Sequence, residues 1–347
     1  MLIVSGPVGG SEHHRAGHPE RPTRIRAVMA GIDELHLGTD LETVHGEPAD
    51  RQQLTRVHSA SYLDELTAFC KAGGGDIDPD TYATEDSWLT ARSAAGAGLA
   101  AIDALRQHHD GVAFVAARPP GHHALRDRAM GFCLLNTIAV AAAALVSEGE
   151  RVLIVDWDVH HGNGTQEIFW DDPNVLYVST HQWPLFPGSG TAGEIGGPHA
   201  RGHIVNVPLP PGATGDVVRR AIDEMAFPVI DNFAPTWVLV SAGFDAHRAD
   251  PMADLALSNG DFADLARTVA GFAPRPGRLA LFLEGGYDLV ALQASVTATL
   301  GALLGAPYEA EDTTAGGIGS EMVSQAKAER ADALGRTDLV MPPGGLL

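Results

Sequence analysis

Asp156, Asp158, His160 and His161 lie within six consecutive positions of the stretch RVLIVDWDVHHGNGTQEIFW, residues 151–170. They follow Val152-Leu153-Ile154-Val155, an unbroken apolar run of the kind found in a parallel strand covered on both faces. Buried charges must be paired or must coordinate metal, so such a strand has no structural need of acids and imidazoles at its tip. Asp158 and His160 have the two-residue spacing that points side chains to the same side of an extended chain. Carboxylate oxygen together with imidazole nitrogen suits a divalent transition ion, zinc above all. The plainer reading, an Asp that caps the next helix beside hydrogen-bonded histidines, accounts for one acid but not for the set. Gly162, Asn163 and Gly164 then break the strand and lead into a helix.

A catalytic zinc generally takes three protein ligands and keeps one position open. Asp245, just past the apolar run WVLVSAG, is the preferred third ligand, with His247 and Asp250 as competitors. His122 and His123 follow Arg118-Pro119-Pro120-Gly121, a turn stiffened by its prolines. Neutral imidazole near pH 7 is a natural general base or acid. Adjacent residues point different ways, so the two histidines need separate partners; Asp156 could hold one and Asn163 the other. Tyr287, after Gly285-Gly286, carries a hydroxyl able to donate to a developing oxyanion, or is an ordinary turn tyrosine. Gly131-Phe132 and Phe186-Pro187-Gly188 are either loop residues walling a narrow apolar channel or core packing.

The elements that must position these residues are legible in outline. Apolar strands are expected at 2–4, 111–117, 151–155, 175–179, 203–207, 237–241 and 279–283. Helices are expected at 58–70, 88–105, 134–147, 214–232, 261–272 and 289–305, with 71–80 as a loop. Alternating strands and helices predict a single-domain three-layer α/β/α fold with a mostly parallel sheet. In such sheets ligands bind beyond the carboxyl ends of the strands, where nearly every unusual polar residue falls. The region 309–347 is poor in large apolar residues and reads as an extension to a catalytic domain of 1–308, with a peripheral helix in SEMVSQAKAERADALGR and a loose MPPGGLL end.

The chain has 347 residues and a net charge of −21, from 44 acidic and 23 basic residues. That balance argues against nucleic acid as a partner and is compatible with a cationic substrate. Two cysteines, Cys70 and Cys133, can build neither a disulfide framework nor a thiolate zinc site. The opening MLIVSG lacks a basic n-region, and no run is long enough to span a membrane, so a cytoplasmic protein is expected. Oligomeric state is not legible.

RPPGHHA, GFCLLN, DWDVHHGNG, SAGFDAH and LEGGY, in this order, resemble the zinc-dependent histone deacetylase family, whose superfamily includes acetylpolyamine amidohydrolases and acetoin-utilisation proteins. The likeness runs from about residue 10 to 305 and implies the arginase/deacetylase-like fold. It implies Asp158, His160 and Asp245 as zinc ligands, His123 as general base and acid, and His122 as its electrostatic companion beside Asp156. It implies Tyr287 as the group polarising the acyl carbonyl, and Gly131, Phe132 and Phe186 as the lining of a tunnel for an acyl-lysine-like chain. It also implies a potassium ion near Asp156, Asp158, His160 and Ser179. Asn163 stands where class I members carry an acid, which resembles the class II side and its bacterial relatives. The loop STHQWPLFPGSG departs from the family's double-aromatic version.

The expected activity is therefore hydrolysis of an acetyl or related short acyl group from an amine, releasing acetate. Acetyl-lysine in proteins is the first substrate and acetylated polyamines the alternative. Glu20, Arg21 and Asp76 are expected at the rim that chooses between them. Two rivals remain: a ureohydrolase with two manganese ions, for which DWDVHHGNG supplies too few carboxylates, and a module that binds acyl-amines without turnover.

Overall fold

The computed structural model describes residues 1–7, 13–108, 110–307 and 318–335. The chain opens with β1 (Leu2–Pro7), α1 (Thr23–Asp33), β2 (Leu41–Gly46), α2 (Arg51–Leu54) and α3 (Ala60–Lys71). A small hairpin, β3 (Gly74–Asp76) with β4 (Tyr82–Thr84), precedes the long α4 (Ser87–Gln107) and β5 (Val112–Val115). Next come α5 (Thr137–Val146), β6 (Val152–Asp156), α6 (Asn163–Ile168), β7 (Val175–Gln182) and β8 (Ile204–Leu209). The chain continues through α7 (Gly215–Ala221), a π-helical turn (Ile222–Ala226), α8 (Phe227–Phe233), β9 (Trp237–Ala242) and α9 (Asn259–Ala270). It closes with β10 (Leu279–Leu283), α10 (Leu289–Leu303) and α11 (Ser320–Gly335).

Among the described residues, eight strands form one parallel sheet in the order β2-β1-β5-β10-β9-β6-β7-β8. Strand alternation sends Leu153 and Val155 of β6 into one core, with α1, α7, α9 and α10. Val152 and Ile154 enter the opposite core, with α3, α4 and α5. Both faces are thus covered, and β6, β7, β9 and β10 are buried along their whole length. This is the expected three-layer α/β/α architecture.

The differences from expectation lie at the periphery. β2 reads LETVHG, half polar, because it is an edge strand that keeps much of its surface outside the core. The expected loop 71–80 contains β3, whose three residues are mostly glycine. The single helix expected at 214–232 is broken by the π-helical turn, with Pro228 at the start of α8. α11 packs on β8 and α7, and the Arg330 guanidinium is buried against the carbonyls of Gly202 and Ile204. The MPPGGLL end and residues 309–317 lie outside the described residues.

Candidate active site

Four neighbouring strands, β5, β10, β9 and β6, deliver their carboxyl-end loops to one spot. Just past the tip of β6 the chain bends at residues 158–160, yet neighbouring side chains still part to opposite sides. Trp157 and Val159 turn into the core, while Asp158 and His160 face the opposite way. His160 Nδ1 lies 3.1 Å from Asp158 Oδ1 and 3.2 Å from Asp245 Oδ2. One candidate ligand atom from each of the three lies within 4.8 Å of the others. The backbone fixes the carboxylates: Gly285 N donates to Asp158 Oδ2 at 2.8 Å, and Val159 N to Asp245 Oδ1 at 3.0 Å.

The room for this cluster comes from missing side chains. A Cβ on Gly243 would sit 2.5 Å from Asp158 Cγ, and one on Gly285 would sit 2.6 Å from Asp245 Cγ. Burial lowers the His160 pKa, but Asp158 and Asp245 outweigh it and push it up to about 10. Burial, then the charge of Asp158, raises Asp245. Two buried carboxylates facing one imidazole thus call for positive charge, and Asp245 Oδ2 is buried without a hydrogen bond. These donors fit a divalent metal ion.

The competitors for the third position have other partners. Asp250 Oδ2 accepts from Tyr287 N at 2.6 Å and Asp288 N at 3.1 Å, and His247 Nδ1 accepts from Ala249 N at 3.1 Å. His161 turns away to Ser189 and Gln166. Ser179 sits opposite Asp156 in register, its Oγ 2.9 Å from His181 Nδ1.

The His122–His123 turn is held by Glu284, whose Oε2 accepts from Gly121 N at 2.6 Å and His122 N at 3.1 Å. His122 Nδ1 donates to Asp156 Oδ2 at 3.1 Å, and Tyr177 Oη donates to the same oxygen at 3.0 Å. His123 Nδ1 lies 2.8 Å from Asn163 Oδ1. The two expected partners are therefore the observed ones. Burial lowers His122, but Asp156, Asp158 and Glu284 overcome it and raise its pKa to about 10. Burial, then the positive charge of His122 and His160, drives His123 well below its ordinary value. Identical side chains side by side thus divide into one charged and one neutral imidazole at pH 7.

Above these groups opens a cavity of about 190 Å3 walled by Gly131, Phe132, Leu185, Phe186 and Met252. Phe132 takes a positive φ of 67°, which aims its ring at Tyr287, 5.9 Å away between centroids. Phe186 stands edge-on to His123 at 5.1 Å. Tyr287 is buried, and burial raises its pKa well above the ordinary value, so the phenol stays protonated. The Arg24 guanidinium lies 4.8 Å over its ring and donates to Gly286 O at 2.7 Å and to Glu284 O. His18, ahead of α1, packs edge-on against Phe132 at 4.7 Å.

The expected rim is corrected in part. Glu20 is fully buried and paired with Arg118 at 2.6 and 2.7 Å, because a carboxylate so enclosed needs the guanidinium fork. Asp76 is exposed and pairs with Arg15. Asp80 is the acid that lines the cavity besides the buried Asp158. Asp250, weighed only as a metal ligand, instead anchors the Tyr287 backbone; sequence reasoning missed Glu284, Arg24 and Asp80. Of these, only Glu284 carried a signal, as an acid at the end of a wholly apolar strand.

Among the described residues, no helix is long and apolar enough to cross a membrane. The histone deacetylase domain model matches residues 18–303. A histone deacetylase-like amidohydrolase of Pseudomonas aeruginosa is 41% identical over 289 residues, covering 81% of this chain and 76% of the relative. A probable deacetylase of Methanothermobacter thermautotrophicus is 40% identical over 333 residues, 94% of this chain and 97% of its own length. The crystal structure of the HDA15 HD domain is similar with a TM-score of 0.84 and 34% identity, covering 96% of this chain and 97% of that one. The chain belongs to the histone deacetylase family and is a hydrolase of amide bonds.

Proposed function

We propose that this enzyme removes acetyl, or a related short acyl group, from the side-chain amine of acetyl-lysine in proteins, with zinc held by Asp158, His160 and Asp245. The observation that carries this reading is the meeting of that buried triad with His122, His123 and Tyr287 at the floor of an apolar-walled cavity. Phe132, Phe186 and Gly131 suit a thin methylene chain ending in a neutral amide, since aromatic walls bury apolar surface and exclude water. A potassium ion near Asp156, Asp158, His160 and Ser179 is part of the same reading. Residues 1–308 are assigned as the catalytic domain and 309–347 as an appended extension. A cytoplasmic setting agrees with the two free, buried cysteines.

When bound, zinc would supply Lewis acidity, polarising the acyl carbonyl and acidifying the attacking water. His123, neutral and with Asn163 at its Nδ1, takes the proton of that water at Nε2 and later returns it to the leaving nitrogen. His122, charged and tied to Asp156, keeps positive charge beside the developing oxyanion and prevents His123 from being protonated beforehand. The Tyr287 hydroxyl donates to the oxyanion, and its backbone, held by Asp250, keeps it over the floor. The products are acetate and a free amine.

Acetylated polyamines are the second reading, favoured by Asp80 in the cavity lining and by the net charge of −21. Acetate release from an acetyl-lysine peptide and from acetylputrescine, measured with zinc-loaded wild type, His123→Ala and Tyr287→Phe, separates the possibilities. Turnover that collapses in both variants is expected, and the faster substrate names the class. Wild-type inactivity with one zinc bound and retained acyl-amine binding would favour a binding module. Two bound metal ions would favour a ureohydrolase.

A further inference from the structure

We propose that Met130 selects the tautomer of His123 by fixing the orientation of the Asn163 amide; this rests on the reading of His123 as the base. A neutral imidazole has one donor and one acceptor nitrogen, and a side-chain amide likewise has an acceptor oxygen and a donor nitrogen. The 2.8 Å contact between His123 Nδ1 and Asn163 can therefore be satisfied in two ways. In one, Nδ1–H donates to Oδ1 and Nε2 turns a lone pair to the cavity. In the other the amide is rotated by half a turn, its nitrogen donates to Nδ1, and Nε2 carries the hydrogen. Only the first leaves a base where the attacking water must be deprotonated.

A carboxylate at position 163 would enforce the first state alone, because it only accepts. Asparagine does not, and a third atom has to choose. That atom is Met130 Sδ, which accepts from Asn163 Nδ2 at 3.3 Å. A thioether has lone pairs and no hydrogen, so it accepts from the amide nitrogen and repels the amide oxygen. The sulfur is held in place by its own turn: Met130 and Cys133 exchange backbone hydrogen bonds of 3.2 and 2.9 Å. Gly131, next in the chain, has a φ of 56° and lies so close that a Cβ there would meet His123 Cδ2 at 2.5 Å. The turn that walls the cavity thus also aims the sulfur. Met130 is a positioning residue, acting on His123 through Asn163.

Met130→Leu keeps the bulk of the side chain and removes the acceptor. It is compared with wild type, Asn163→Asp and the double variant, using acetate release from whichever acetylated amine the wild type hydrolyses. The expected kcat falls by about three- to tenfold as the competent tautomer loses population, with KM held within about twofold. In the Asn163→Asp background the same substitution changes kcat by less than about 1.5-fold, because a carboxylate has no wrong orientation. Nitrogen-15 spectra of labelled histidine, with His123→Ala to assign the signal, are expected to move from the Nδ1–H to the Nε2–H pattern in Met130→Leu. They need no turnover, so they decide even where Asn163→Asp is inactive, and Met130→Ile serves if Met130→Leu fails to fold. An equal kcat loss in both backgrounds, or an unchanged tautomer in Met130→Leu, overturns the inference. Activity surviving in His123→Ala overturns instead the assignment of the base.

Discussion

Replacing Gly285 by alanine should abolish tight zinc binding while leaving the fold intact. The new Cβ would stand 2.6 Å from Asp245 Cγ and 2.7 Å from Asp158 Oδ2, and closer still to Asp245 Oδ2. Non-bonded atoms rest roughly 3.5 Å apart, so the carboxylates must retreat by about an ångström. They have little freedom to do so. Asp158 is held by Gly285 N and by His160 N at 2.9 Å, and Asp245 by Val159 N. Metal–ligand distances tolerate deviations of about 0.2 Å, so a shift of this size removes one ligand or distorts two. Loss of zinc affinity by about 100-fold or more is expected, the upper range seen when even an outer partner of a ligand is removed. Competition with a chromophoric chelator reads the affinity, and circular dichroism with a melting curve checks the fold. A Gly285→Ala protein that folds and holds zinc within about threefold of wild type would refute the assignment of Asp158 and Asp245 as ligands.

Tyr287→Phe should lower kcat by about 10²- to 10³-fold, the usual cost of losing one oxyanion donor, with zinc content and melting temperature unchanged. His58 is buried, its Nδ1 donating to Leu125 O and its Nε2 accepting from Asn136 N, both at 2.9 Å. Burial lowers its pKa to about 4, as it does for His13, so both are neutral in the folded state. The unfolded chain binds these protons near pH 6.5, so stability falls as pH drops from about 6.5 towards 4, by at most about 3 kcal/mol per histidine. Melting curves across that range test this, and His58→Gln should flatten the dependence; an unchanged slope would count against it. Arg330→Ala should cost about 2–3 kcal/mol, because two carbonyls at the start of β8 lose a charged donor. Denaturant titration measures this, and KM should not move, since α11 makes no part of the cavity lining.

The sequence by itself determined the strand whose apolar run ends in Asp158 and His160, because a covered strand has no other use for them. It also determined the three-layer class, since apolar runs alternating with helical segments admit few packings. The partners of the paired histidines were readable as well, because acceptors near the same strand tip were few. Tertiary structure decided what depends on which strands become neighbours. β10 comes last in the chain yet lies between β5 and β9. That insertion alone brings Glu284 under the His122 turn, Gly285 onto Asp158, and Asp250 onto the Tyr287 backbone. It explains why Asp245 could not be separated from His247 and Asp250 by spacing, and why Glu20, in a polar loop, proved to be buried against Arg118. β2 escaped notice because an edge strand buries too little to carry an apolar signature. Chain order records local pattern; which side chains meet is fixed by sheet order, and that is set by the packing of the whole core.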